Sequence, residues 1–326
     1  MDPMDDSKTN QPNRSILLVH GSDFKPPADV FLDEASTALR AGVERDFPDK
    51  VDLFDTLDID LAYYGDLGNE LLRKCGKHYD EKLDIGDRRN ALETLRKIPQ
   101  RKRFGLRQYD SLRGKSAIPE AIADVASPML GMLGLTSLLV SIVAKDFAIY
   151  LRGNTDFTEQ VRARVRDKLC EILNRGDQLL LMAHGTGCFV AYDVLWQLSH
   201  DEQFKVDYSG AKVDLWMTLG SPISDDKLRK RLLGAGRRAK RRFPTNIITW
   251  QNISAEDDYV CHDKTVADDL KVMMREHLIS SINDHRIYNH TLRYGKSNPH
   301  CSLGYFIHPR VAKIVVEWLE TTNGVA

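Results

Sequence analysis

The chain has 326 residues, of which 42% are hydrophobic, and 46 basic side chains nearly balance 47 acidic ones. This length allows one large α/β domain with room for an insertion. The balanced charge excludes a strongly basic protein drawn to nucleic acid or to an acidic membrane by its overall field. Two local basic runs, residues 101–107 and 237–242, are typical of solvated helix faces or loops, and contact with phosphate or anionic lipid is the alternative.

Cysteine content and the N-terminus bear on the compartment. The five cysteines are odd in number and lack C-x-x-C spacing: Cys75, Cys170, Cys188, Cys261 and Cys301. This pattern argues against a disulfide scaffold or a zinc site and fits a reducing compartment. Residues 1–13 are polar and acidic, without the apolar core of an export signal, and we expect a disordered leader there. We therefore expect a cytoplasmic protein.

The first predicted elements are a strand, a helix and a second strand. "SILLVHG" (residues 15–21) has the pattern of a buried parallel strand that ends at a His-Gly loop. Residues 31–47 show helical spacing of apolar positions, and residues 50–66 alternate well enough to contain a strand. Residues 68–126 are charge-rich and irregular in pattern.

The irregular region ends in an uncharged stretch, "PMLGMLGLTSLLVSIVA" (residues 128–144). It falls just short of a membrane span, and Gly131 and Gly134 weaken it as a helix. A buried helix or an apolar lid is the favoured interpretation, with a membrane-inserted segment as the alternative. We therefore treat residues 68–144 as an inserted cap or lid region, and residues 14–67 and 145–326 as the core.

Helices and strands alternate after the insertion. The patterns predict helices over 157–174 and 187–198, and strands over 178–183, 213–219 and 246–254. The last helix presents one apolar face, formed by Val311, Ile314, Val315 and Trp318. Such alternation predicts an α/β fold with a mostly parallel sheet flanked by helices on both sides.

The sequence "LLLMAHGTGC" (residues 179–188) predicts a sharp turn between a strand and a helix. In a G-x-S-x-G elbow the tip residue has a positive φ, and small residues two places to either side avoid clashes. With Ala183 and Gly187 at the small positions, Gly185 lies at the tip. Glycine relaxes such a turn but supplies no hydroxyl. A plain strand–helix connection or a weak phosphate loop is the alternative for this stretch alone.

Two neighbours of the tip are alternative nucleophiles. A tip at Thr186 would put His184 and Cys188 at the small positions, where the imidazole would clash. Cys188 lies in the first turn of the following helix, where the dipole can lower the pKa of a thiol. Its side chain is expected to pack toward the sheet instead.

An acid and a histidine follow the turn in the order nucleophile, acid, histidine. Asp257, Asp258 and Asp263 follow the strand at 246–254, and His300 precedes the last helix. Taken alone, a loop aspartate is more often a turn or helix cap, and a lone histidine more often packs or lies at the surface. The order, however, matches the triad order of the α/β-hydrolases.

These segments together resemble the α/β-hydrolase superfamily, close to its bacterial lipase- and esterase-like serine hydrolases. "ILLVHG" resembles the strand and His-Gly turn that supply an oxyanion amide, and "LMAHGTGCFVAYDVLW" resembles the elbow and helix "AHSxGSxxAYDVL". "LWMTLGSPIS" resembles the next strand, and "NPHCSLGYFIHPRVAKIVVEWL" the histidine loop and closing helix. The likeness covers about two-thirds of the chain and departs from the family at Gly185, where the family has serine.

The resemblance implies a role for several residues. Asp258 would be the acid that orients the base, with Asp257 as the fallback, and His300 would be the general base. The backbone N–H groups of Ser22 and Thr186 would be the oxyanion donors.

Two further histidines are rivals of His300 for the role of the base. His262 and His308 have neighbours that suit the start of a helix better than a catalytic loop. The sequence shows no metal-ligand cluster and no cofactor fingerprint, and "GTGC" lacks the downstream lysine of a phosphate loop. We expect no metal, no cofactor and no nucleic-acid partner.

Gly185 leaves three interpretations of function open. The first is a working hydrolase in which His300 activates water against a hydrophobic ester or acyl substrate. The second is a catalytically inactive pseudo-hydrolase that binds a ligand, a membrane or a protein partner. The third is a serine hydrolase into which Gly185 was introduced. The retained acid–histidine pair favours the first or third, and the apolar lid favours a hydrophobic ester over a peptide. Membrane docking assisted by residues 101–107 is the rival role of the insertion.

Overall fold

The computed structural model describes residues 13–112, 144–261 and 265–321 of the chain. Most of the expected leader (residues 1–13) and of the apolar stretch 128–144 lies outside the described residues, and so do His262 and Asp263. No helix in the described part of the chain is long and apolar enough to cross a lipid bilayer.

A six-stranded, all-parallel sheet forms the centre of the molecule, with the strand order β2-β1-β3-β4-β5-β6. Its strands are β1 (Arg14–Val19), β2 (Asp58–Ala62), β3 (Gln178–His184), β4 (Val213–Leu219), β5 (Ile247–Ala255) and β6 (Ser281–Ile287). Five of them lie within or close to the predicted ranges. The sequence analysis missed the edge strand β6, because its polar sequence "SINDHRI" lacks the apolar run of a strand buried on both faces.

Helices cover both faces of this sheet. The main ones are α1 (Ala28–Asp46), α2 (Gly65–Lys74), α3 (Glu81–Arg96), α4 (Lys145–Tyr150), α5 (Asp156–Arg175), α6 (Gly187–His200), α7 (Ser302–Phe306) and α8 (Pro309–Glu320). Short helical turns occur at Pro48–Lys50, Val51–Phe54, Arg101–Phe104, Leu106–Asp110, Lys205–Tyr208, Pro222–Ser224, Asp226–Arg229, Ala239–Arg242, Tyr259–Cys261, Val266–Asp269 and Lys271–Arg275. An antiparallel hairpin of two short strands, β7 (Leu292–Arg293) and β8 (Lys296–Ser297), precedes α7.

The region after residue 68 is irregular in its sequence pattern but contains most of α2 and all of α3. The carboxylate of Asp80 accepts a hydrogen bond from the Leu83 backbone N–H and caps the start of α3. Ala91, Leu92 and Leu95 lie buried on one side of that helix. The apolar stripe is narrow because charged residues fill the remaining positions, which explains why the pattern escaped the sequence analysis.

Alternate residues of β1 enter two separate apolar cores, as the pleat of a strand dictates. Leu17 and Val19 pack with residues of α5 and α6 on one face of the sheet. Ile16 and Leu18 pack with α1, α3 and α8 on the other. The four apolar residues expected on one face of the last helix are all buried in this second core.

The strand order places a crevice between β1 and β3. After β1 the chain crosses to β2 at the sheet edge and then returns to β3 on the opposite side of β1. Ligands in open α/β sheets bind outside the carboxyl ends of strands at such a reversal. Val19 and Ala183 are paired in register, so the loop after β1 and the turn after β3 leave the sheet at the same level.

Candidate active site

The turn between β3 and α6 has its positive φ at Gly185, where φ is +55°. Thr186 has ordinary right-handed helical angles (φ −67°, ψ −18°). The sharp bend therefore lies at residue 185 and not at residue 186. The Gly185 backbone N–H donates to the Leu219 carbonyl at 2.8 Å, which ties the bend to the end of β4.

Gly187 is required by a close approach of two backbone segments. A Cβ atom on Gly187 would lie only 2.2 Å from the carbonyl oxygen of His20. Because this oxygen belongs to the backbone, no rotation of a side chain could relieve the overlap. On the other side of the bend, Ala183 is fully buried. The small residues two places before and after Gly185 thus allow the β1 loop to pack directly against the turn.

Asp258 and His300 form a hydrogen-bonded pair at the carboxyl edge of the sheet. Asp258 follows β5, and His300 lies in the long connection between β6 and α7. The Nδ1 atom of His300 lies 2.9 Å from Oδ2 and 3.1 Å from Oδ1 of Asp258. The aspartate side chain is fully buried, whereas the histidine side chain is 21% exposed. A donating Nδ1 leaves Nε2 as the basic nitrogen.

The Nε2 atom of His300 faces the bend at Gly185. A Cβ atom built on Gly185 would lie 2.9 Å from Nε2 and 3.2 Å from Cε1 of His300. A side chain at position 185 would therefore overlap the imidazole unless His300 shifted. The structure therefore brings together the bend, the acid and the histidine, which are 42 or more residues apart in sequence.

Three donors surround the Asp258 carboxylate. Besides His300, the Tyr305 hydroxyl donates to Oδ2 at 2.7 Å, and the Val260 backbone N–H donates to Oδ1 at 2.9 Å. The Tyr305 oxygen in turn accepts the Ala255 backbone N–H at 2.9 Å. Burial, and next to it the Asp258 charge, raises the pKa of Tyr305 well above its usual value, so the phenol stays protonated and donates. Sequence reasoning missed Tyr305, because a tyrosine inside an apolar helix gives no signal of a buried acid beside it.

His184 holds the histidine loop in place. Its Nε2 lies 2.9 Å from the His300 carbonyl oxygen, and the two rings are 4.7 Å apart. Burial, followed by the neighbouring His300, lowers the pKa of His184 well below its usual value. The neutral ring therefore donates through Nε2 and adds no charge beside the dyad.

The amide of Ser22, one of the two expected oxyanion donors, has an acceptor within the protein. The Ser22 N–H donates to Oγ1 of Thr186 at 2.7 Å, and the two hydroxyl oxygens are also 2.7 Å apart. Gly21 lets the loop after β1 come close to the turn, because a Cβ atom there would lie 3.0 Å from the His184 carbonyl oxygen. The backbone N–H of Thr186 donates to no acceptor in the described parts of the chain.

The side chains of Asp146 and Lys25 support the loop that carries Ser22. Asp23 has a left-handed φ of +73°, and its N–H donates to Oδ2 of Asp146 at 3.0 Å. The Lys25 ammonium donates to the carbonyl oxygens of Ser22 and Asp23. The other carboxylate oxygen of Asp146 is buried and has no hydrogen-bond partner among the residues that the structure describes. Asp146, on α4, was not anticipated from the sequence.

His20 fixes the other end of the same loop. Its Nδ1 lies 2.8 Å from the Gly21 carbonyl oxygen, and its Nε2 accepts the Tyr64 backbone N–H at 3.1 Å. Burial, followed by the charge of Lys25, lowers the pKa of His20 to about 3. The ring is therefore neutral and serves as a fixed hydrogen-bonding bridge.

The alternative candidates for the nucleophile, the acid and the histidine are not part of this hydrogen-bonded group. Burial raises the pKa of Cys188 to about 12, and its thiol donates to the Ala183 carbonyl, so the expected effect of the helix dipole is outweighed. Asp257 is exposed, with φ +60°. His308 caps α8 by accepting the Arg310 N–H through Nδ1.

The arrangement places an imidazole, the carboxylate bonded to it and a backbone N–H that is unpaired among the described residues around a bend that lacks a side chain. One aromatic residue flanks this group: Tyr259 is 61% exposed, and its ring lies 5.9 Å from that of His300. A comparison of the chain with protein-family models, curated proteins and solved structures gives no match.

Proposed function

We propose that the protein has an α/β-hydrolase fold and acts as a lipase- or esterase-like hydrolase of a hydrophobic ester or acyl substrate. The observation that carries this proposal is the position of His300 Nε2, 2.9 Å from the site of a Cβ on Gly185, with Nδ1 on the buried Asp258. A base oriented by an acid and aimed at a positive-φ bend after a parallel strand is the arrangement that acyl transfer uses.

In the proposed reaction, water takes the part that a serine hydroxyl plays in the family that the sequence resembles. His300 Nε2 accepts a proton from the water as its oxygen attacks the ester carbonyl carbon. Asp258 stabilises the resulting imidazolium, which then returns the proton to the leaving alcohol. The N–H groups of Ser22 and Thr186 stabilise the oxyanion, so the Thr186 hydroxyl must move away from the Ser22 amide. Without a covalent nucleophile the reaction is expected to be slow.

The contact between Ser22 and Thr186 favours a second candidate, a pseudo-hydrolase that binds its ligand without cleaving it. A hydroxyl oxygen that already accepts the Ser22 N–H at 2.7 Å competes with a substrate oxygen for that donor. An amide that is satisfied internally gains less from the developing oxyanion.

The insertion at residues 68–144 is proposed to cover the site and to favour acyl chains over peptides. Peripheral membrane docking is the alternative role, in a protein that we propose to be cytoplasmic. Flotation with anionic liposomes, with and without residues 118–144, distinguishes the two. Docking predicts flotation that is lost with the deletion, and a lid predicts no flotation of either protein.

A paired assay of the unaltered protein and its Gly185→Ser variant tests the proposed function. The variant is expected to react with a fluorophosphonate probe and to hydrolyse nitrophenyl esters at least about 10³-fold faster than the unaltered protein, because it gains a nucleophile beside an existing base. The imidazole has to shift to admit the new side chain.

Each of the two proteins in this assay has its own control. Slow turnover by the unaltered protein that disappears in His300→Ala supports water activation, whereas turnover absent from the start supports the pseudo-hydrolase. A Gly185→Ser variant that is folded and still resists the probe contradicts the proposed site altogether. Labelling of the unaltered protein at Thr186 or Cys188 would move the nucleophile away from position 185.

A further inference from the structure

We propose that Asn289 is a positioning residue that fixes the direction in which His300 presents its imidazole to the bend at Gly185. The inference rests on the proposed function, in which that imidazole is the base. Asn289 lies two residues after the end of β6 and is fully buried. Its side-chain amide hydrogen-bonds to the backbone on either side of His300.

The loop that carries His300 has no regular structure to hold it. After β6 the chain forms the β7–β8 hairpin, and residues 298–301 then lie between β8 and α7 outside any strand or helix. A base must be held to within about 0.5 Å of its working position by contacts around it. In this loop those contacts have to come from side chains, because no strand or helix pairs its carbonyl groups.

Three consecutive carbonyl oxygens of the loop accept hydrogen bonds from side chains. The Nδ2 amide of Asn289 donates to the Pro299 oxygen at 2.9 Å and to the Cys301 oxygen at 2.8 Å. Between them, His184 Nε2 lies 2.9 Å from the His300 oxygen. The first of these oxygens belongs to the peptide group before the His300 α-carbon, and the second along the chain belongs to the peptide group after it. Because two fixed peptide planes meet at that carbon, the direction of its Cα–Cβ bond is fixed as well.

The other end of the Asn289 amide is also paired. Its Oδ1 accepts the Thr291 hydroxyl at 2.6 Å and the Thr291 backbone N–H at 3.1 Å. These two donors set the amide orientation, with the oxygen on Thr291 and both N–H groups directed at the loop. An aspartate of the same shape has no N–H to donate, and a leucine has neither donor nor acceptor.

Gly304 leaves the space that Asn289 occupies. A Cβ atom on Gly304 would lie 1.8 Å from Oδ1 of Asn289 and 2.2 Å from Oγ1 of Thr291. Glycine weakens a helix relative to alanine, so its place inside α7 is explained by this close approach. The next residue, Tyr305, donates to the carboxylate of Asp258. Helix α7 thus makes room for the residue that fixes the histidine and holds the acid one residue later.

Asn289→Asp in the Gly185→Ser background tests this role. Aspartate keeps the oxygen on which Thr291 donates but, when ionised, cannot donate to the two loop carbonyls. Fluorophosphonate labelling of the folded protein is expected to slow about 10²-fold, because a misplacement of about 1 Å has an effect of that size. Thr291→Val leaves both amide donors of Asn289 in place and should slow labelling by less than about threefold.

Asn246→Asp in the same background is the matched control. Asn246 is also buried, and its Nδ2 donates to the Leu195 carbonyl at 3.2 Å, but it precedes β5 at the opposite edge of the sheet. A buried carboxylate destabilises both variants, whereas only Asn289→Asp should slow labelling per folded molecule. Equal labelling rates of the two folded variants would overturn the inference. If Asn289→Asp does not fold, Asn289→Ala and Asn246→Ala replace the two variants, with an expected difference of at least about tenfold.

A second measurement, on the protein with Gly185 unchanged, does not depend on activity. The proton between His300 Nδ1 and the buried Asp258, 2.9 Å apart, should give a slowly exchanging imidazole N–H resonance that His300→Ala removes. Asn289→Asp is expected to shift or abolish this resonance, and Asn246→Asp to leave it unchanged. If it responds in this way but Gly185→Ser is not labelled, the proposed function fails and the positioning role stands. If Gly185→Ser is labelled and Asn289→Asp changes neither the resonance nor the labelling rate, only this inference fails.

Discussion

The two halves of the site differ in how completely their polar groups are paired. On the β5–β6 side, the Asp258 carboxylate accepts from His300, Tyr305 and the Val260 N–H. On the β1–β3 side, the bend lacks a hydroxyl and the Ser22 amide is bonded to Thr186. The comparison shows that the acid and histidine are held by several hydrogen bonds, whereas the bend presents no side chain and one of its neighbouring amides is already paired.

Removing the charge of the acid is expected to have the largest effect on this comparison. In the Gly185→Ser background, Asp258→Asn should slow probe labelling by about 10³-fold or more, because an amide cannot stabilise the imidazolium or fix its tautomer. Asp257→Asn, one residue away and exposed, is the matched control and should label normally. If both variants label at the same rate, Asp258 is not the acid that orients His300.

Acid should destabilise the protein through the β1–β3 side, because His20 and His184 are buried and neutral there. The pKa of His20 is lowered from 6.5 to about 3, so the unfolded chain binds a proton below pH 6.5 that the folded chain refuses. This stability is present above pH 6.5 and is lost as the pH falls toward 3, at about 1.4 kcal/mol per pH unit for each such histidine.

Urea unfolding at pH 7.5, 6.0 and 5.0 measures this slope. His20→Asn, which removes the titrating ring, should flatten it by about the contribution of one histidine. If the free energy of unfolding depends on pH equally strongly in this variant, then His20 is protonated in the folded protein or does not cause the loss of stability in acid.

Tyr305→Phe tests how far the β5–β6 side depends on the hydroxyl behind the acid. The change leaves the Ala255 N–H without its acceptor and removes one donor from Asp258, so the free energy of unfolding should fall by about 1–3 kcal/mol. In the Gly185→Ser background, labelling of the folded protein should slow about tenfold. A loss of stability with unaltered labelling would reduce Tyr305 to a packing role and leave His300 alone to position the acid.

Thr186→Val should give the smallest effect, and in the opposite direction. Valine keeps the shape of threonine but frees the Ser22 N–H, so labelling of Gly185→Ser should become about threefold faster. A slower reaction instead would mean that the Thr186 hydroxyl assists the oxyanion.

Local sequence patterns predicted most of the fold. Strands such as β3 and β4 carry continuous apolar runs because both of their faces are buried, and this signal survives in a single sequence. The edge strand β6 and the charged helix α3 escaped, since each buries too little of its surface to leave a clear period. The turn at Gly185 was predicted because a positive φ and a close backbone approach demand small residues at fixed spacing.

The sequence by itself determined the alternation of strands and helices, the bend at Gly185 and the order in which Asp258 and His300 follow it. Only the tertiary structure decided that Nε2 faces the bend, that Tyr305 and His184 support the dyad, and that Thr186 accepts the Ser22 amide. The physical reason is the range of the interactions. Backbone conformation and strand burial depend on neighbouring residues, whereas these hydrogen bonds join groups up to 164 residues apart that meet only when parallel strands end at one edge of the sheet.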